Sequence, residues 1–598
     1  MDIFTQKTLE TLNEFKGINE GYSLEISKDG KNIIRINKDN KKNYIGSKYN
    51  VKKDINEFLK DLEDMDPSTI FVIFGLGSGE HIRELMKKLE DNNKVLIIEP
   101  DINTAIEFLK AEYAEEIIND VRISLNIYEE DKIECFLENT IDSLTIRNKI
   151  NFSIFANYHK IYRNEFLFTF NIFKKVIENS LMNNSTIKHF SEISAKAFLK
   201  NLKHIEKATP INYFKNRFEN KPAIVVSAGP SLGKNISELK DAQDKFIIIT
   251  GARSLGELIE NDIFPDFVCM VDPGDINIKF IEKYLEYKIP LLFVEQTSYK
   301  AMELYKGPKI LFSANPITSS MLNLDIDNLV SGGSVAHICT SFAGYMGCTP
   351  ITFIGQDFAY TNNKFHSELI AFKENNKIES DDGFIDVEDI FGNMVKTNWT
   401  LNNFKNNMEW IIKDYKEKVF IDSTEGGAKI KGTIIQPLKN TILEHSMQGI
   451  GKEKIKDILN HIPLIERKET IKYLEESEKV LINIQKKANI ALGYSSNLYL
   501  AYTQGKSVNN INKKLNEIDN YIKENREKIF LINSILFEVI ENTLSNRDYI
   551  LSSKDSEVEK GIKVSEKSRY LYKGIKDKIE YFLPILRKEI KVLKEEKI

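Results

Sequence analysis

Apolar residues follow three different rhythms along the 598 residues of the chain. Near the start, Tyr22–Ile26 and Asn32–Ile36 alternate apolar with polar positions, and Asp29-Gly30 lies between them. Alternation interrupted by Asp-Gly is the pattern of a β-hairpin, so residues 1–60 are expected to form a small β-rich segment. From about residue 65 the apolar positions gather into short continuous runs. Thr69–Phe74 is such a run. Gly75-Leu76-Gly77-Ser78-Gly79 follows, then a helical stretch from Glu80, a second run at Lys94–Ile98, and Glu99. Strand, glycine loop, helix, strand and acid outline a nucleotide-binding α/β half. Helical spacing, as at Phe190, Ile193 and Ala197, then marks a stretch from about Phe166 to Lys207, so 61–207 reads as a Rossmann-like domain with trailing helices.

Residues 208–438 again alternate buried runs with helical segments. The expected strands are Ala223–Ser227, Lys245–Thr250, Phe267–Val271, Leu291–Val294, Lys309–Phe312 and Ile351–Ile354. Most end at a small, polar or acidic residue, as they do where a ligand meets the carboxyl ends of a parallel sheet. In 439–598 no strand pattern survives, and Lys and Glu interleave with Ile and Leu at helical spacing, as in Ile471–Leu481 and Ile511–Ile522. That stretch is expected to be all-α, with long antiparallel helices and solvated Lys/Glu faces. The fold class is therefore α/β, with a Rossmann-like N-terminal part, a second Rossmann-like central domain and a helical end.

Composition narrows the classes without choosing one. Lys and Arg number 83 and Asp and Glu 88, a net charge of −5 that argues against a protein built to coat nucleic acid. No apolar run reaches the length of a membrane span. The N-terminus lacks a charged leader with an apolar stretch, and the four cysteines (Cys135, Cys269, Cys339, Cys348) are scattered, so a reducing cytoplasm is expected.

The candidate chemistry sits at strand ends. In the first half, Gly75–Gly79 with Glu99 reads either as a methyl-donor or nucleotide site or as a tight turn with no ligand. In Val226-Ser227-Ala228-Gly229-Pro230-Ser231-Leu232, Gly229 permits close approach, Pro230 fixes the turn, and Ser231 is expected to cap a helix whose N–H groups attract phosphate. Asp272 ends a strand, as a ligand or as a cap. Ser331-Gly332-Gly333-Ser334 precedes an apolar helix and leaves room for an anion or base, whereas His337 reads best as a buried, hydrogen-bonded histidine. Gln356 and Asp357 follow a buried strand, Tyr360 can donate to a phosphate oxygen, and His366 is either a general base or an exposed loop residue. Thr424-Glu425-Gly426-Gly427 either closes the pocket or merely turns the chain.

Taken in order, Ala228–Leu232, Phe264-Pro265-Asp266-Phe267 with Asp272, Ser331–His337, Ile354–Tyr360 and Thr424–Gly427 resemble the motility-associated factor (Maf) family of flagellin glycosyltransferases. The central domain is also similar to the MptE-like pterin diphosphokinases and to bacterial sialyltransferases that use CMP-sugars. That similarity implies a sialyltransferase-type central domain. Gly229, Pro230 and Ser231, with Ser331, Gly332 and Gly333, would hold the CMP moiety; Asp272 and Gln356 would contribute to substrate binding. Tyr360 would steady the leaving phosphate, and His366 and Asp357 would be the catalytic pair. The chain departs from the sialyltransferases in having Gly251 and Asp272 at strand ends where they favour Asn.

The resemblance implies transfer of a CMP-activated nonulosonic acid, of pseudaminic or legionaminic type, to a flagellin Ser or Thr. The sugar donor is a substrate, and no cofactor or metal is expected. Arg253 is a candidate for the sugar carboxylate. Two competing expectations remain. One is a 6-hydroxymethylpterin diphosphokinase using ATP and Mg²⁺, with Asp266, Asp272 and Asp357 as possible ligands. The other is a non-catalytic flagellin-binding assembly factor that uses its helical end.

Overall fold

The computed structural model describes residues 3–14, 21–38, 41–60, 62, 65–313, 316–361, 384–447, 449–463 and 467–595. The chain divides into two compact units. One comprises Met1–His189, Ile484–Lys523 and Leu536–Lys578; the other comprises Phe190–Asn483, Glu524–Ile535 and Ile579–Ile598.

In the first unit, β1 (Tyr22–Ile26), β2 (Asn32–Lys38) and β3 (Lys41–Tyr44) form an antiparallel sheet. The alternating segments thus form the expected hairpin, extended by a strand the pattern did not mark. The continuous apolar runs become β4 (Ile70–Phe74) and β5 (Lys94–Glu99). With β6 (Ile123–Ile127) and β7 (Ile150–Ile154) they form a parallel sheet in the order β6-β5-β4-β7. Every residue of β4 is buried, which explains a run without polar alternation.

The second unit holds a nine-stranded parallel sheet. Its strands are β8 (Thr209–Pro210), β9 (Ala223–Val226), β10 (Ile247–Gly251), β11 (Phe267–Met270), β12 (Leu291–Phe293), β13 (Lys309–Leu311), β14 (Ile351–Ile354), β17 (Phe420–Asp422) and β18 (Ile434–Ile435). The antiparallel hairpin β15 (Phe384–Glu388) and β16 (Met394–Asn398) interrupts the sequence between β14 and β17. The order β18-β17-β14-β9-β10-β11-β12-β13-β8 places β14 and β10 on either side of β9. The chain therefore winds outward from β9 in both directions, and the crevice beyond β9 is a topological switch point, where open α/β sheets bind ligands.

Side chains alternate between two cores. Ala223 and Val225 of β9, Ile247 and Ile249 of β10, and Ile351 and Phe353 of β14 join Phe342 and Ala343 of the Val335–Tyr345 helix on one face. Ile224, Val226, Ile248 and Ile354 join Leu232, Leu239 and Leu258 on the other.

After β18 the described residues contain helices only, including Arg467–Thr503, Asn509–Glu524, Phe530–Ser545 and Glu557–Glu595. No helix among the described residues is long and apolar enough to cross a membrane.

Candidate functional site

A cavity of about 380 Å³ opens at the switch point of the nine-stranded sheet. Its floor is the strand ends: Val226 to Pro230 after β9, Gly251 to Ser254 after β10, Cys269 and Asp272 at β11, and Gly355 to Ala359 after β14. Gly333 to Ala336 at the start of the Val335–Tyr345 helix, Ile276 with Asn277, and Thr400, Leu401 and Phe404 complete the lining.

The turn after β9 is held from below. Gly229 N donates to Gly355 O at 2.8 Å, and a Cβ at Gly229 would collide with the Asp357 carboxylate and the Gly355 carbonyl. Only glycine fits there, so the backbone lies flush against its neighbour and is open on the cavity side. Asp357 is 2% exposed and accepts from Ser231 Oγ at 2.6 Å and from Ser231 N at 3.2 Å. Burial raises its pKa, and the bonds from Ser231 pull against that shift.

The expected capped helix after this turn is only Leu232–Asn235, followed by a 3-10 segment at Ile236–Ala242. Ser231 makes no cap bond, because its hydroxyl and amide go to Asp357. The phosphate-attracting helix start read from the sequence is thus replaced by an internal carboxylate. Gln356 Oε1 accepts from Ser227 Oγ at 2.6 Å, which ties the β14 turn to the β9 turn.

Asp272 and Arg253 bring charge to the cavity. Asp272 is exposed to it, yet the surrounding protein raises its pKa, opposed by the Asn277 amide and the Arg253 charge. Arg253 is the only Lys or Arg among the described lining residues, and its guanidinium carbon lies 4.9 Å from the Phe280 ring centre.

The structure distributes the other sequence candidates unevenly. Gly229, Pro230, Asp272, Gly333, Gln356 and Asp357 line the cavity, whereas Ser231, Ser331, Gly332 and Tyr360 do not. Tyr360 is 8% exposed, accepts from Asn398 Nδ2 at 2.6 Å and packs edge-on against Phe384. His337 is the buried, bonded residue its context predicted. Nδ1 accepts from Ser334 N at 3.1 Å, Nε2 lies 2.8 Å from Phe404 O, and burial lowers its pKa to about 4. The Gly426-Gly427 turn packs on Thr361 and the Asp357 backbone, and Ala428 N donates to Asp357 O at 2.7 Å. His366 lies outside the described residues.

Thr400, Leu401 and Phe404 escaped the sequence reading because they lie some forty residues beyond the strand-end motifs, on the first two turns of an amphipathic helix with no glycine signature.

The glycine loop of the first unit sits at its own switch point, between β4 and β7. That place is filled. Gly75 has φ of 107°, and a Cβ there would run into the Tyr158 ring. Tyr158 OH donates to Glu99 Oε2 at 2.6 Å and accepts from Gly77 N at 2.7 Å. Glu99 also accepts from Leu76 N at 2.8 Å, and burial raises its pKa to about 8. Of the two readings of this loop, the geometry matches the tight turn.

Residues 196–363 match the family model described as 6-hydroxymethylpterin diphosphokinase MptE-like. No curated protein matches the sequence. Among solved structures, the MAf glycosyltransferase from Magnetospirillum magneticum AMB-1 is similar at 14% identity, over 99% of this chain and 95% of that one, with a TM-score of 0.58. The chain therefore carries an MptE-like domain within a fold that it shares along nearly its whole length with a Maf glycosyltransferase.

Proposed function

We propose that this chain is a glycosyltransferase that moves a nonulosonic acid, of pseudaminic or legionaminic type, from its CMP-activated form to a Ser or Thr hydroxyl of flagellin. It acts in the cytoplasm, takes the CMP-sugar as a substrate and needs no further cofactor. The observation that carries this reading is the extent of the fold likeness. The MptE-like match stops at residue 363, whereas the likeness to a Maf glycosyltransferase takes in 99% of the chain.

The chemistry is a displacement at the anomeric carbon. The acceptor oxygen forms the new C–O bond, the bond to the CMP phosphate oxygen breaks with its electron pair, and CMP leaves as an anion. The flush turn at Gly229 brings the phosphate close to backbone. Ser254 and Ser334 line the cavity as hydroxyl donors for the departing charge, whereas the Ser227 hydroxyl is given to Gln356. Arg253 meets the carboxylate of the sugar. The acceptor proton goes to a base, for which His366 and Asp272 are the candidates. Asp357 contributes by holding the Gly229–Ser231 turn, because both of its oxygens are engaged there.

The family match favours a second reading, diphosphoryl transfer to a pterin. The acids named for its Mg²⁺ are dispersed, however. Asp266 accepts from Ile248 N at 2.8 Å and pairs with Lys452 at 2.7 Å, and Asp357 serves Ser231. Only Asp272 remains open to the cavity.

Nucleotide product analysis separates the two. The protein is incubated either with CMP-pseudaminate and flagellin or with ATP, Mg²⁺ and 6-hydroxymethylpterin. Flagellin-dependent release of CMP is expected, and pterin-dependent release of AMP would overturn the reading.

A further inference from the structure

The amino ends of β8 and β13, at the edge of the nine-stranded sheet, gather a group of lysines that protein carboxylates do not balance. The Arg163–Ile205 helix ends there with Lys203 and His204, and Lys207 follows in the turn before β8. Lys306 lies in the turn that enters β13, and Lys309 is the first residue of that strand. Pairing of Ile310 with Thr209 sets the two segments side by side. The cavity described above opens at the carboxyl ends of the same sheet, so the lysine group lies on the opposite rim.

The nearby acids are already committed. Glu303 pairs with Lys203 at 3.0 Å, and Glu206 pairs with Arg467 at 2.7 Å. Among the described residues, Lys207, Lys306 and Lys309 have no carboxylate partner. Two of these ammoniums are nonetheless held in place by backbone carbonyls. Lys306 Nζ donates to Glu303 O at 2.6 Å, and Lys309 Nζ donates to Tyr305 O at 2.7 Å and to Gly307 O at 3.5 Å. An ammonium has three N–H groups, so the half-buried Lys309 keeps one uncommitted. Burial, with the Lys306 charge, lowers the Lys309 pKa to about 8. His204 adds no charge of its own. Its Nε2 is buried without a hydrogen bond, and burial, followed by the charges of Lys309, Lys203, Lys306 and Lys207, lowers its pKa to about 3.

We propose that Lys207, Lys306 and Lys309 form a binding site for a small phosphate dianion, either free or as a monoester. Lysine binds phosphate as a point charge, and several ammoniums converging from two turns suit a tetrahedral group with several oxygens. A dianion there offsets the mutual repulsion of the lysines, which the committed acids leave uncompensated. The site is independent of what the cavity on the other rim binds. The ring of His204, which feels the charge of all these lysines, reports on its occupancy.

The test follows the histidine ring signals of the isotope-labelled, full-length protein by nuclear magnetic resonance, with His204 assigned by the loss of its signal in His204→Gln. Inorganic phosphate and glycerol phosphate are titrated separately, above the second pKa of phosphate and at constant ionic strength. A saturable shift of the His204 signal is expected, and the tighter-binding probe distinguishes a site for free phosphate from one for an ester. Chloride at the same ionic strength is expected to give no such shift. Phosphate bound only in the cavity would leave His204 unmoved and would count against the proposal. Lys306→Gln, at an exposed position where folding is not at stake, is expected to weaken binding roughly fivefold. Lys309→Gln adds a second test at the half-buried position. Absence of a saturable shift, an equal shift with chloride, or unchanged phosphate affinity in Lys306→Gln overturns the proposal.

Discussion

Asp422 shows how a single buried carboxyl sets a pH dependence. It ends β17 at 1% exposure and accepts from Thr424 N at 3.0 Å. Burial, with Asp357 nearby, raises its pKa from an ordinary 3.8 to about 6. A carboxyl that holds its proton more tightly when folded contributes full stability below pH 4, and that contribution is lost as pH rises toward 6. The loss amounts to about 3 kcal/mol. Asp422→Asn has no proton to lose, so its stability relative to wild type is expected to rise across this window and stay higher above it. Denaturant midpoints measured from pH 4 to pH 8 check this; parallel pH profiles would refute it. Gly229→Ala works at the same scale by collision instead of charge. Its Cβ has to displace the Asp357 carboxylate or the Gly355 carbonyl, at about 1–3 kcal/mol. A drop in unfolding temperature, together with lost nucleotide binding, is the expected outcome. The sequence pointed to Gly229 through its Gly-Pro-Ser context. It could not reveal that Ser231 spends its hydroxyl on Asp357, because 126 residues separate the two and only the pairing of β9 with β14 brings them together.

At the scale of elements, legibility followed burial. β4, β9, β10 and β14 are buried along most of their lengths, so each left an uninterrupted apolar run that could be read directly. The two-residue strands β8 and β18 were too short to leave a pattern, and the exposed hairpin β15–β16 carries too many polar residues to announce a strand. The helix expected after Ser231 has the right apolar spacing, at Leu232, Ile236 and Leu239, but breaks into a short α turn and a 3-10 segment. The glycine loop after β4 is the clearest case of a motif whose pattern was right and whose use was not fixed by it. Its nucleotide place is taken by Tyr158, which lies 81 residues from Gly77 in sequence. Wild type is therefore expected to show no saturable binding of S-adenosylmethionine in calorimetry, beyond any signal from the second unit. Tyr158→Phe leaves the Gly77 N–H with only the longer bond to Glu99 Oε2 at 3.4 Å and removes the donor to Glu99, costing about 1–3 kcal/mol. Unchanged stability in that variant would show that the tyrosine is a bystander.

Across the whole molecule, two parallel sheets each have a switch point, and the two are finished differently. One is closed by the protein's own tyrosine and glutamate. The other is an open cavity floored by strand ends and walled by a helix from beyond the MptE-like segment. Composition and charge were silent on this difference, since neither sees where side chains meet. The reaction proposed for the open site is transfer of a nonulosonic acid to flagellin. Its most direct test is the intact mass of flagellin incubated with the protein and CMP-pseudaminate. A mass increase by whole nonulosonate residues, absent when the protein is omitted, is the expected result. Flagellin of unchanged mass, with binding of the CMP-sugar demonstrated in the same preparation, would contradict it.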